Sequence, residues 1–404
     1  MIRAFLVNFT ATMLGTALST AATFLVVRAL ATDDWGVSAS TLGLGQLIGA
    51  ALSFGTQIER VRRYSALPLD QRSIEAKTDS SSRTVIAIAL IAIGLLLSPL
   101  LPIAGSIVIA ASGTYASLAT TNFFIASKRF VVAGTLVAVE KLLLLVLVSV
   151  TIAAATTNVT TLPMAQGIAG VCIAVVAARV IPGRRLRLGV SAQARRLHGQ
   201  YRSGFFLGVA SLAPSFLLLD ASIVVAIAGP SEAGAFALAA RLIAPLTVAT
   251  SALVAVLMPY LIAPTANDQR FDVRALALLV IGYFAALTML AVSAPLWVPA
   301  LFGSEYREAV LPVQLYIANA FVVFFTRILV TISQARGDDK MTSAFIATQV
   351  LLALVGISIG AHLAGSAGAA MSVVSTNVLL AVALGLRVRS NRSKTKGEPD
   401  ESHD

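Results

Sequence analysis

The chain has 404 residues, 57% of them hydrophobic and 12% charged, with a net charge of +11. A soluble globular protein carries roughly 25% charged residues, so the composition excludes an ordinary cytosolic enzyme, and its repeated apolar runs of about 20 residues are what spanning helices need. The basic surplus does not call for nucleic acid, because lysine and arginine gather in the cytoplasmic loops of membrane proteins and here they are spread over several short loops.

Taken in chain order, Arg3 precedes an apolar stretch that runs to Ala29. At about 25 residues it is too long for the apolar core of a signal peptide, so an uncleaved first span is expected. Further helices are expected near 37–57, 84–102, 106–126, 131–154 and 164–182. Only Pro99, Pro102 and Gly105 separate the third from the fourth. Next comes the stretch GRRLRLGVSAQARRLHGQYR from Gly183 to Arg202, whose six arginines cannot lie in hydrocarbon. After it, helices are expected near 204–228, 234–262, 275–300, 309–333, 342–363 and 367–386. VVRALATDDWG (Val26–Gly36) matches VVAIAGPSEAG (Val224–Gly234) at a constant offset of 198. In both, an apolar helix end runs into a short acidic loop and a glycine that opens the next helix. The sequence therefore predicts an all-α integral membrane protein of about twelve transmembrane helices in two pseudo-symmetric six-helix bundles, 1–183 and 204–388. A basic cytoplasmic linker, 184–203, joins them, and a disordered cytoplasmic tail, 389–404, follows.

With the N-terminus placed in the cytoplasm, 24 of the 30 basic residues fall in cytoplasmic segments, while the outer loops hold only Arg307. That imbalance predicts a multi-pass membrane protein with both termini cytoplasmic. The outer loops are short and acidic, with Asp33, Asp34, Glu232, Glu305 and Glu308. The single cysteine, Cys172, allows no intramolecular disulfide, and His198, His362 and His403 lie in separate segments and make no metal set.

Ionisable residues inside spans cost about 2.5–3.5 kcal/mol each at a helix centre, which makes them the first candidates for function. Asp220 and Arg241 both fall about 10–12 Å below the outer surface, counted at 1.5 Å per residue. Adjacent helices put them at one level, either as a structural salt bridge or as a proton- or cation-binding site. Glu140 and Lys141 lie near mid-membrane on one helix. Sequence neighbours point about 100° apart, so a good pair between them is not expected; at least one should face a polar cavity, or both snorkel. Arg327, deep in the tenth helix with no acid on that helix, suits an anionic ligand, since a guanidinium fork fits phosphate oxygens, or else pairs with a carbonyl or a distant acid. Arg28 ends the first helix, as a snorkelling end or as part of a site. There is no Gly-Lys-Ser/Thr phosphate loop, and Asp33-Asp34 and Asp338-Asp339 sit where acids favour a helix N-terminus. Neither an enzyme nor a bound cofactor is expected.

The helix-one end VVRALATDDWG, the run LLLDASIVVAIAGPSEAGAFALAARLIAP with VLMPYL behind it, LFGSEYREAVLPVQL and GSAGAAMSVVSTNVLLAVAL together resemble the polysaccharide (O-antigen, Wzx-type) flippases. These belong to the multidrug/oligosaccharidyl-lipid/polysaccharide exporter superfamily. The resemblance implies movement of an undecaprenyl-diphosphate-linked oligosaccharide from the cytoplasmic to the outer leaflet by alternating access, for O-antigen, exopolysaccharide or a related polymer. It also implies membrane lipids, a polysaccharide polymerase and glycosyltransferases as partners. Arg28, Lys141, Arg241 and Arg327 are then the substrate-path candidates, and Glu140 and Asp220 the coupling-ion candidates. A multidrug or organic-cation antiporter of the same superfamily and a lipid II-type flippase are the alternatives; the two extra helices of lipid II flippases are missing here.

Overall fold

The computed structural model describes residues 2–54, 60, 63–64, 67–127, 129–182, 212–243, 245–246, 273–335 and 339–395, and every regular element among them is helical. In order they are α1 (Ile2–Ala29), α2 (Thr32–Ser53), α3 (Leu69–Leu97), α4 (Pro102–Thr120), a short helix (Asn122–Ala126), α5 (Phe130–Ala153) and α6 (Thr161–Val180). Then follow a 3-10 segment, Ala213–Leu219, leading into α7 (Asp220–Ala228), and α8 over 230–243. After these come α9 (Val273–Phe302), α10 (Val310–Ala335) and the run Asp339–Thr395. Non-helical Ala364 and Gly365 break that run into α11 (339–363) and α12 (366–395). Among the described residues, seven helical segments are long and apolar enough to cross a membrane.

The elements match the apolar runs of the sequence, with two differences. α3 begins at Leu69, not near 84, so at 29 residues it is about 43 Å long, well beyond the roughly 30 Å of a hydrocarbon core. The stretch Thr78–Thr84 reads as loop because serine, threonine and aspartate favour turns. Here the hydroxyls fold back instead: Thr78 donates to the Ile74 carbonyl, Ser82 to that of Thr78, and Thr84 to that of Ser80, each at 2.8 Å. Such i−4 bonds let polar residues sit inside a helix. At the other end, α12 runs on to Thr395, so residues 389–395 of the expected tail are helical. The basic linker 184–203, the start of the seventh expected span and the end of the eighth lie outside the described residues.

The chain forms two compact units, Met1–Arg241 and Leu242–Asp404. In the first, α1 packs along α5, while α4 lies against α2, α3 and α6. Glycines let α4 and α6 touch through their backbones: a β-carbon on Gly167 or Gly170 would strike the Ile109 or Gly113 carbonyl. α7 packs on α2 inside this same unit. In the second unit α10 packs against α9 and the α11–α12 hairpin. Pro295 interrupts α9, and because it has no N–H the Ala291 carbonyl loses its helical donor. Gln314 on α10 supplies the replacement, its Nε2 donating to Ala291 O at 3.0 Å. In lipid such a carbonyl has no water to turn to.

Candidate functional site

The chemistry-bearing cluster of the first unit sits where α5 meets α6. Glu140 and Lys141, expected not to pair, do pair: Lys141 Nζ lies 2.6 Å from Glu140 Oε1. The 100° separation applies to the Cβ directions, and the four-carbon lysine stem is long enough to fold back across it. Gln166 of α6 joins them, its Nε2 donating to Glu140 Oε1 at 3.1 Å while its Oε1 accepts from Lys141 Nζ at 3.5 Å. The Glu140 side chain is 6% exposed and that of Lys141 22%. Gly15 on α1 lies beside this stretch of α5, where a β-carbon would stand 3.2 Å from Val137 Cγ1 and in ordinary contact, at 3.6 Å, with Lys141 Cγ. Gln166 was not singled out from the sequence; its glutamine type, one helix away in an apolar segment, was the available signal.

Asp220 and Arg241 do not form the expected contact pair. Asp220 stands where the 3-10 segment turns into α7, and its Oδ1 accepts from the Ala221 N–H at 2.6 Å. Arg241, on α8, acts on it through Coulomb attraction but not through an ion pair: those within 4.0 Å among the described residues are Arg60–Asp79, Arg63–Glu75 and Lys141–Glu140. Arg28 is exposed at the end of α1, as a snorkelling residue would be. Arg327 belongs to the second unit, where it is exposed on α10. The six candidates thus resolve into one bonded pair, one through-space pair and two separate arginines.

Two further assemblies mark the ends of the first unit. At the basic end Arg60 and Asp79 are both buried, with Arg60 Nε 3.6 Å from Asp79 Oδ2 and the Tyr64 hydroxyl donating to the same oxygen at 2.9 Å. One turn on, Arg83 is buried over the Tyr115 ring, 4.8 Å from its centroid, with Nη1 3.5 Å from Ser53 Oγ. Lys77 and Arg72 donate to the Ile181 and Ala126 carbonyls at the ends of neighbouring helices. These basic residues, expected in a loop, instead tie helix ends together.

At the acidic end, which carries Asp33, Asp34 and Glu232, α2 meets α7 and α8. A β-carbon on Gly36 would collide with the Pro230 carbonyl, and one on Gly234 with the Thr32 carbonyl. Residues 32 and 230, and 36 and 234, are separated by the 198-residue repeat offset, so the contact is reciprocal, as a pseudo-two-fold axis requires. Deeper in, a β-carbon on Gly43 would meet the Leu218 carbonyl, and Ser40 Oγ donates to Ser222 Oγ at 2.9 Å.

No family profile and no curated protein matches the chain. Solved structures do. An inward-facing conformation of a multidrug resistance MATE family transporter of the MOP superfamily aligns with a TM-score of 0.64 at 15% identity, over 95% of this chain and 96% of that one. An outward-facing conformation of such a transporter aligns at 0.56, with 15% identity over 98% and 97%. A MOP superfamily transporter from Pyrococcus furiosus, for which a reverse polarity of the binding pocket suggests a different function, aligns at 0.54, with 14% identity over 98% and 96%. The likeness is one of fold: an all-α, multi-pass membrane protein built like these transporters.

Proposed function

We propose that the chain is a transporter that flips an undecaprenyl-diphosphate-linked oligosaccharide from the cytoplasmic to the outer leaflet by alternating access, working with the polymerase and glycosyltransferases of a surface polysaccharide. The observation that carries this reading is the charge inside the spans. Four basic residues, Arg28, Lys141, Arg241 and Arg327, face two acids, and one of the acids, Glu140, already holds Lys141 and Gln166. Such a balance suits an anionic lipid diphosphate, whose oxygens match a guanidinium fork. Arg327, exposed on α10, is the arginine we assign to the diphosphate, with Asp220 as the coupling acid. The cytoplasmic placement of both termini follows from the distribution of basic residues along the sequence.

The test uses a strain lacking the protein, complemented with wild type or Arg327→Ala, in which the leaflet holding the undecaprenyl-linked oligosaccharide is determined. Single, unpolymerised units on the cytoplasmic side, cleared by wild type alone, are expected. The organic-cation reading draws on the multidrug transporters among the structural neighbours. Unchanged lipid-linked sugars together with altered sensitivity to cationic drugs would favour it and overturn the flippase.

A further inference from the structure

The Glu140–Lys141–Gln166 cluster has the make-up of a small cation site. Two oxygens from two helices, Glu140 Oε1 and Gln166 Oε1, converge on one point at 2.6 and 3.5 Å, and the Gln166 amide is oriented by its own bond to Glu140. Carboxylate and amide oxygens are what alkali cations take as ligands. The point of convergence is not vacant, because the Lys141 ammonium fills it.

We infer that Lys141 is a tethered counter-ion: its ammonium occupies a monovalent-cation site formed by Glu140 and Gln166, and thereby shuts out sodium, potassium and cationic solutes. The carboxylate, buried among apolar helices, is stabilised as a charge by a positive partner, and a covalently attached one is already in place, without the entropy cost of capturing a dissolved ion. Lys141 acts here as a specificity residue. Its removal creates a cation requirement instead of simply removing a charge. The inference does not depend on which substrate is carried, so it can fail while the flippase reading stands, and the reverse.

The experiment measures the thermal unfolding midpoint of the full-length protein in lipid nanodiscs. Sodium, lithium or potassium chloride is titrated against choline chloride at constant ionic strength. Wild type should respond equally to all four salts. Lys141→Met should acquire a saturable upward shift that discriminates among the alkali cations, and the double variant Glu140→Gln/Lys141→Met should lose it. Lys141→Arg, which keeps the tethered charge, should behave as wild type. An alkali-selective, saturable shift in wild type overturns the inference and needs no variant to fold. So does a folded Lys141→Met that treats choline and the alkali cations alike. If Lys141→Met does not fold, Lys141→Thr is measured in its place, with the same outcomes required.

Discussion

The two ends of the first unit are held by opposite means. At the acidic end α2 meets α7 and α8 through backbone, with Gly36 and Gly234 each opposite a carbonyl. At the basic end the same α2 runs into a buried network of arginines, Asp79 and two tyrosines. The first contact is steric, so a single methyl group is an intrusion. The second is electrostatic, and what it does not tolerate is loss of a partner. Helices held by close backbone approach and the Ser40–Ser222 hydroxyl bond can separate and re-form at lower cost, whereas opening the charged end would take a carboxylate from a buried arginine. The acidic end is therefore the one suited to opening and closing.

The largest effect should come from the charged end. Asp79→Ala removes the carboxylate beside the buried Arg60, and removing one partner of a buried pair costs about 3–5 kcal/mol. A marked fall in the unfolding midpoint of the purified protein is expected, and a midpoint equal to wild type would remove the distinction between the ends. Next is Gly36→Val at the acidic end. Overpacking costs about 1–3 kcal/mol, here set against the closed contact alone, so the balance should move toward separation by about tenfold or more. The readout is the rate at which Ser40→Cys, in a Cys172→Ser background, reacts with an impermeant thiol reagent. No increase would mean that the contact does not open. Ser40→Cys paired with Ser222→Cys should cross-link and stop transport until a reductant is added. The smallest effect concerns Arg63 and Glu75, an exposed pair at 2.8 Å. Exposed pairs are worth about 0.2–1 kcal/mol and weaken in salt, so Arg63→Gln should barely move the midpoint. The hydrogen bonds that Arg63 donates to the Glu75 carboxylate hold its guanidinium above its ordinary value. Because that value is raised on folding, the contribution is fully present at lower pH and is lost only as pH rises through the folded value. Arg63 therefore adds no pH dependence to stability at any pH near neutral, and a stability change between pH 6 and 9 that disappears in Arg63→Gln would contradict this.

Much of the fold was legible because apolar runs of spanning length, broken by proline, glycine and charge, mark helices whatever they pack against. Pro102 opens α4 as a first-turn proline should, and Gly229, at φ +94°, separates α7 from α8. The 198-residue offset showed a repeat but not that the matched segments touch, since sequence similarity carries no distance. The start of α3 was hidden by residues that favour turns until their hydroxyls find carbonyls one turn back. The candidate site was legible as residue types and not as partnerships. Glu140 and Lys141 stood out by their position in an apolar span, but their bond depends on the bend of a flexible stem. Arg83, one residue before the helix expected near 84–102, reads as a loop charge because nothing near it in the sequence announces the Tyr115 ring beneath it.

The contact at the acidic end also bears on how the chain is made. Ser40 and Ser222 are 182 residues apart, and synthesis proceeds at about 5–20 residues per second. The strip of α2 that receives α7 and α8 therefore waits on the order of 10–40 seconds after it emerges, while its partners are still being translated. Its glycines and serines must be covered by acyl chains or by a membrane insertase during that interval. Slowing translation of the second half should lengthen the wait and raise the proportion of chains degraded before α2 is covered.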